Sequence, residues 1–318
     1  MYFIQQQIAE LEKIDYPLNR EPDFDAFWTK ARTQVAAHDP AAVMTEINDY
    51  TLNHVRMYDT VIHGLDGTPV AAWVILPAEA SKNNPVPAMI QFHGGNGSRG
   101  EHPLGWLGVV LAGFAVVLPE FRNQAGITQS VTPLNRCCGT SFASLNLDGP
   151  PENHYFYHAF TDQMVAVKFT MGLPEIEASR VAVVGSSQGG GTSMIMAAQN
   201  RDIAFCMPAV PSYCAWERRV FIQSACAGDI AKYIERFPER CKDVFRMLSY
   251  FDAMNHADQI RCPVLCSCGL KDTATPPDCV YAGYNKITAP KEMNVYPFGG
   301  HASESLVNII HALKKYLG

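Results

Sequence analysis

The sequence predicts an α/β fold: a mostly parallel central sheet of about eight strands with helices on both faces. Three observations predict it. Short apolar runs bounded by turn formers alternate with stretches of helical period over most of the chain. Such alternation is what a parallel sheet covered on both faces requires. One strand-to-helix junction, at residues 180–198, is compressed into a glycine-rich turn. The 318 residues, 47 % of them apolar, carry no repeat, low-complexity tract or linker. A single domain over 1–318 with a helical extension over about residues 1–40 is therefore expected.

The elements follow in order. Pro22-Asp23-Phe24-Asp25-Ala26-Phe27-Trp28 reads as a helix start, with Asp23 as N-cap and Phe24, Phe27 and Trp28 on one face. Residues 57–63 and 70–76 read as neighbouring strands separated by the turn former Asp66-Gly67. Residues 88–92 form a buried strand that runs into His93-Gly94-Gly95-Asn96-Gly97. Further strands fall at 114–118, 181–184, 204–207, 264–268 and 293–296, and helical patterns at 104–111, 160–171, 189–198, 216–225, 279–286 and 304–317. Residues 122–151 have no clean period and are long for a loop, which points to a functional or assembly segment.

The compressed junction is the most specific signal. Gly185-Ser186-Ser187-Gln188-Gly189 stands between an apolar strand and a helix, the arrangement of a nucleophile elbow in an α/β-hydrolase. Its serine hydroxyl needs a base, and the base needs a carboxylate to hold its tautomer. In this fold the chain order is serine, acid, histidine. Asp272 follows the strand at 264–268 and His301 follows the strand at 293–296, so both reach the sheet edge that carries Ser187. His311, His256, Asp278 and Asp252 are weaker competitors, set in helices, caps or other loops. The N–H groups of Gln188 and Gly95 are the expected oxyanion donors.

The formal charge of -6 gives no basic field for nucleic acid. No apolar run reaches membrane-spanning length, and residues 1–7 do not read as a signal peptide, so a cytoplasmic protein is expected. The ten cysteines include no C-x-x-C pair, and free thiols in a reducing compartment are the expectation, with no metal and no cofactor. Cys262, Cys266 and Cys268 share one parity, and only Cys137-Cys138 are adjacent.

Several of these stretches together resemble carbohydrate esterase family seven, the acetyl xylan esterases and cephalosporin C deacetylases. They are Phe24-Asp25-Ala26-Phe27-Trp28, Phe92-His93-Gly94 with Asn96-Gly97 and Arg99-Gly100, Phe160-Thr161-Asp162, the elbow, Leu248-Ser249-Tyr250-Phe251-Asp252, Gly269 with Asp272, and Pro290-Lys291-Glu292. The resemblance implies a serine esterase with the trio Ser187, Asp272 and His301. It acts on small acetylated sugars and acetylated antibiotics such as cephalosporin C, and assembles as a hexamer. Three positions depart from the pattern: Arg122-Asn123-Gln124 for Arg-Gly-Gln, His301-Ala302 for His-Glu, and Gly95 for a tyrosine. Loss of that ring is expected to widen the mouth of the site and alter substrate preference. The alternatives are an α/β-hydrolase acting on another bond, as a peptidase or thioesterase, and a silent binding protein on the same scaffold.

Overall fold

The computed structural model describes residues 2–49, 52–302 and 304–318. Its sheet has nine strands: β1 (Val43–Glu46), β2 (Val55–His63), β3 (Pro69–Pro77), β4 (Val86–Phe92), β5 (Ala115–Pro119), β6 (Ile176–Ser186), β7 (Phe205–Ala209), β8 (Val264–Gly269) and β9 (Lys291–Tyr296). They lie in the order β1-β2-β3-β5-β4-β6-β7-β8-β9. The first three join antiparallel, and everything from β5 to β9 is parallel. The expected sheet is thus present with one strand more. The addition, β1, is a short and largely exposed edge strand.

Among the described residues ten α-helices accompany the sheet: α1 (Tyr2–Leu11), α2 (Phe24–Ala37), α3 (Leu107–Leu111), α4 (Tyr155–Gly172), α5 (Gln188–Gln199), α6 (Trp216–Phe221), α7 (Ala227–Arg236), α8 (Cys241–Ser249), α9 (Pro277–Lys286) and α10 (Leu306–Leu317). Alternating strand residues face opposite layers, as the two-residue period of a strand dictates. Ile90, Val117, Val183, Cys206 and Cys266 pack with α2, α4 and α5. Met89, Val116, Val184 and Met207 pack with α3 and α10 through Val109, Ile309 and Leu313.

The aromatic face of α2 does pack on the body of the protein. Trp28 Nε1 donates to Tyr250 O at 3.0 Å, and the Phe24 and Trp28 rings each lie 5.0 Å from the His256 ring. Asp23 stands at the N-cap but makes no capping bond, because its carboxylate accepts the Tyr250 hydroxyl instead. Among the described residues, no helix is long and apolar enough to cross a membrane.

Candidate active site

Ser187 sits at the junction of β6 and α5 with φ 57° and ψ -116°, a conformation that L-residues avoid. Three backbone bonds hold it there. Its N–H donates to Ala209 O at 2.9 Å, and its carbonyl accepts from Gly191 N at 3.0 Å and Ser212 N at 2.8 Å. The flanking glycines are a steric necessity. A Cβ on Gly185 would stand 2.4 Å from the Gly189 carbonyl carbon, and one on Gly189 would stand 1.9 Å from Phe92 O. The turn can therefore press against the end of β4 only if both positions lack side chains.

Asp272 and His301 arrive from adjacent parallel strands, β8 and β9. Lys271 N–H donates to Gly299 O at 3.0 Å and draws their two loops together. His301 Nδ1 lies 2.8 Å from Asp272 Oδ2. Because the carboxylate accepts, Nδ1 carries the hydrogen of that bond and Nε2 is left with its lone pair free. Asp272 is 3 % exposed. Its second oxygen accepts from Ala274 N at 2.8 Å and Thr275 N at 2.9 Å, while Thr275 Oγ1 donates to Oδ2 at 2.7 Å. Burial works against ionisation, yet the bonds from His301 and Thr275 hold the carboxyl below the usual aspartate range. His256 is a wholly buried packing residue, His311 is exposed, Asp278 pairs with Arg218, and Asp252 caps the N–H groups of Ala215 and Trp216.

The loop after β4 lies beside the elbow. His93 braces it: Nδ1 donates to Gly94 O at 2.8 Å, and Nε2 accepts from Phe121 N at 3.0 Å. Burial keeps this imidazole neutral by lowering its pKa. Among the described residues no protein acceptor takes the Gly95 N–H, and Gln188 opens α5, where first-turn donors lack intrahelical partners. A Cβ on Gly95 would lie 3.9 Å from Gln188 Oε1, so the Gln188 side chain reaches the loop that carries Gly95.

Gln124 ties this loop to the elbow. Its Oε1 accepts from Asn96 N at 2.8 Å, and its Nε2 donates to Tyr155 Oη at 2.8 Å and Gln188 Oε1 at 2.9 Å. Arg122 anchors the same segment from below. Its guanidinium, 1 % exposed, is forked onto both oxygens of Asp162 at 2.7 and 2.8 Å and onto Asp66 at 2.7 and 3.0 Å. Burial opposes its charge, but the two carboxylates dominate and raise its pKa. Among the described residues, no group of three or more His, Cys, Asp or Glu side chains is placed to hold a metal ion.

The sequence model of the acetyl xylan esterase (AXE1) family matches residues 1–315. The chain belongs to the acetyl xylan esterase family. It is 26 % identical to the acetyl esterase Axe7A of Xylanibacter ruminicola, over 93 % of this chain and 67 % of that protein. Among solved structures it is similar to the acetyl xylan esterase from Paenibacillus sp. R4, with a TM-score of 0.92 and 30 % identity over 97 % of this chain and 99 % of the other. It also resembles acetyl xylan esterase 1 from Thermoanaerobacterium sp. JW/SL YS485, with a TM-score of 0.89 and 29 % identity over 97 % of both chains. Members of this family are carboxylic ester hydrolases, and the fold is that of the α/β-hydrolases.

The family setting gives the departures a physical meaning. Asn123 has φ 54°, a left-handed conformation that glycine adopts freely and asparagine tolerates best among the rest. Its side-chain oxygen then accepts from Ser130 N at 2.9 Å. Ala302 is exposed, and its N–H turns back to Gly300 O at 3.0 Å. A Cβ on Gly95 would meet Phe142 ring carbons at 3.4 and 3.6 Å, so an aromatic wall from the long loop already stands at this position. Sequence reading passed over Phe142 and Tyr213, whose hydroxyl donates to Gln188 Oε1 at 2.9 Å, because nothing local marks them. Thr275 was legible in principle: a threonine three residues after an aspartate is a common local cap.

Proposed function

We propose that the protein is a serine esterase that removes acetyl groups from acetylated xylo-oligosaccharides, with Ser187, His301 and Asp272 as its catalytic trio. The observation that carries this reading is the 2.8 Å bond between His301 Nδ1 and Asp272 Oδ2, on the sheet edge that also bears the strained Ser187. Ser187 Oγ attacks the acetyl carbonyl carbon while His301 Nε2 takes its proton. The oxyanion rests against the N–H groups of Gln188 and Gly95, each contributing roughly 3–4 kcal/mol to the transition state. Collapse expels the sugar alcohol, which receives the proton from His301. Water activated by the same nitrogen then attacks the acetyl-enzyme and releases acetate.

The same chemistry extends the proposal to cephalosporin C, a small acetylated antibiotic. We also propose a homohexamer in the cytoplasm. Exposed Ile127, Val131 and Phe298, on the loops that carry Gln124 and His301, support an assembly surface. Ten free thiols suit a reducing compartment.

The deciding experiment measures acetate release from acetylated xylo-oligosaccharides, and turnover of acetyl, butyryl and octanoyl nitrophenyl esters and an aminoacyl amide. Ser187→Ala should remove nearly all activity while the fold is kept. Activity within tenfold of the parent would place the nucleophile elsewhere, and faster amide cleavage would make the protein a peptidase. Sedimentation velocity tests the hexamer.

A further inference from the structure

Arg219, on α6, is 1 % exposed, and among the described residues no carboxylate forms an ion pair with it. A guanidinium in that setting has lost its water and must recover the cost from hydrogen bonds. It bonds to neutral oxygens. Nη1 donates to Ser212 Oγ, Nη2 donates to Ala274 O at 3.1 Å, and Nε donates to Ser224 Oγ at 3.1 Å. The Trp216 ring lies 5.3 Å from its central carbon, and its charge acts on the Cys226 thiol and the Asp252 carboxylate.

Two of its three acceptors stand one bond away from the proposed trio. Ser212 N–H donates to Ser187 O at 2.8 Å, so the Ser212 backbone is part of what holds the elbow. Ala274 N–H donates to Asp272 Oδ1 at 2.8 Å, so the Ala274 backbone is part of what holds the acid. Arg219 therefore closes a path from Ser187 through Ser212, its own planar fork and Ala274 to Asp272. The path runs independently of His301. The third acceptor, Ser224, lies within the stretch that follows α6, where its own N–H donates to Arg219 O at 3.0 Å.

We propose that Arg219 is a positioning residue that sets the spacing between the nucleophile turn and the acid loop. The inference rests on the reading of Ser187 and Asp272 given above. A planar guanidinium is suited to the task, because its donors keep fixed mutual angles and pull two loops into one geometry. A lysine reaches one loop at a time. The ordinary role for a buried arginine, support of its own helix, is already served by the Ser224 bond. The Ser212 and Ala274 bonds add nothing to α6 itself, and they join segments 62 residues apart, at positions 212 and 274.

The experiment compares two hydroxyl deletions at one guanidinium. Ser212→Ala removes the leg to the elbow, and Ser224→Ala removes the leg that serves only the helix end. The readouts are kcat and KM for nitrophenyl acetate, and the rate at which a fluorophosphonate labels Ser187 in protein shown to be folded by circular dichroism. In the labelling step Ser187 Oγ bonds to phosphorus, fluoride leaves and the hydroxyl proton passes to His301, so the rate reads the alignment of the trio without an alcohol-binding step. Ser212→Ala should lower kcat and the labelling rate about tenfold with KM within threefold, and Ser224→Ala should change neither by more than about twofold; a displacement near 1 Å is enough for losses of that order and more. Arg219→Lys should behave as Ser212→Ala or worse. Equal losses in the two serine variants, or none in either, would overturn the proposal and leave Arg219 as a helix brace. Failure of the underlying reading looks different: Ser187→Ala would still turn over ester, or the parent would not be labelled at Ser187.

Discussion

The side-chain amides of Gln124 and Gln188 face each other and bond reciprocally, with Gln124 Nε2 2.9 Å from Gln188 Oε1 and Gln188 Nε2 3.2 Å from Gln124 Oε1. Gln188 is 2 % exposed and follows the nucleophile directly, while Gln124 also holds Asn96 N–H. One amide pair thus fixes the loop after β4 against the first turn of α5, which is where both expected oxyanion donors lie.

Gln124→Leu should therefore act on the transition state more than on substrate binding. We expect kcat to fall about 10- to 100-fold, with KM within threefold, since donors displaced by a fraction of an ångström lose most of their effect. Stability should fall by about 1–3 kcal/mol, because the Gln188 amide loses a buried partner. Steady-state kinetics and urea unfolding check both.

Asp272→Asn should lower kcat by about 10³–10⁴-fold, since an amide can present a donor to His301 Nδ1 and favour the wrong tautomer. It should also change acid unfolding. Asp272 is held below the usual aspartate range, so its contribution to stability is fully present above the unfolded value near ~4 and is lost as pH falls through the lower folded value. The difference in unfolding free energy between parent and variant should shrink in that acid window and be flat above it.

His256 gives a second pH signature, in a different range. It is wholly buried between Phe24 and Trp28, accepts from Gln199 Nε2 at 2.9 Å and donates to Tyr250 O at 3.0 Å. Burial pushes its pKa down to about 3. The unfolded chain then binds a proton near pH ~6.5 that the folded protein refuses, so stability drops as pH falls from there toward the folded value. His256→Asn should be less stable at pH 7 and should lose less stability than the parent between pH ~6.5 and ~4. Equal slopes in urea titrations at several pH values would contradict this.

Acyl selectivity should favour acetyl over longer chains, with Phe142 and Gly95 governing the alcohol side. Phe142 is 5 % exposed and stands against Gly95. Gly95→Tyr should lower kcat/KM for bulky acetylated sugars about tenfold more than for nitrophenyl acetate. Octanoyl esters turned over as well as acetyl esters by the parent would point to a lipase-like acyl pocket instead.

How much of this was legible in the sequence differs from element to element. All eight expected strands exist: most are apolar runs too short for a helix, while β2 and β9 mix polar and apolar residues as half-buried strands do. β1 was missed because Val43-Met44-Thr45-Glu46 is an edge strand whose residues are mostly exposed, so it lacks an apolar signal. α7 and α8 were missed although Ile230 and Tyr233, and Val244, Met247 and Leu248, carry the helical spacing; their many charged residues hid it. α6 stops at Phe221, short of the expected end, and Gln223 and Ala225 have positive φ beyond it. The trio candidates were readable because strand ends bring them to one edge. The partners that hold them, Ser212, Thr275, Gln124 and Arg219, depend on contacts between distant segments that no local pattern records.

The place of His301 in the sheet has a consequence for how the protein fails under stress. It follows β9, the outermost strand, whose residues are mostly half-exposed and which has β8 as its single neighbour in the sheet. Edge strands and chain ends open at lower free energy than a sheet interior. Ser187, by contrast, is anchored between β4, β6 and β7, in the middle. Warming or mild denaturant should therefore silence the enzyme by fraying one margin while the centre stays intact, and cooling should restore activity without any refolding of the core. Catalysis becomes a gauge of the sheet's weakest border, a thermal fuse placed where the chain can be reset.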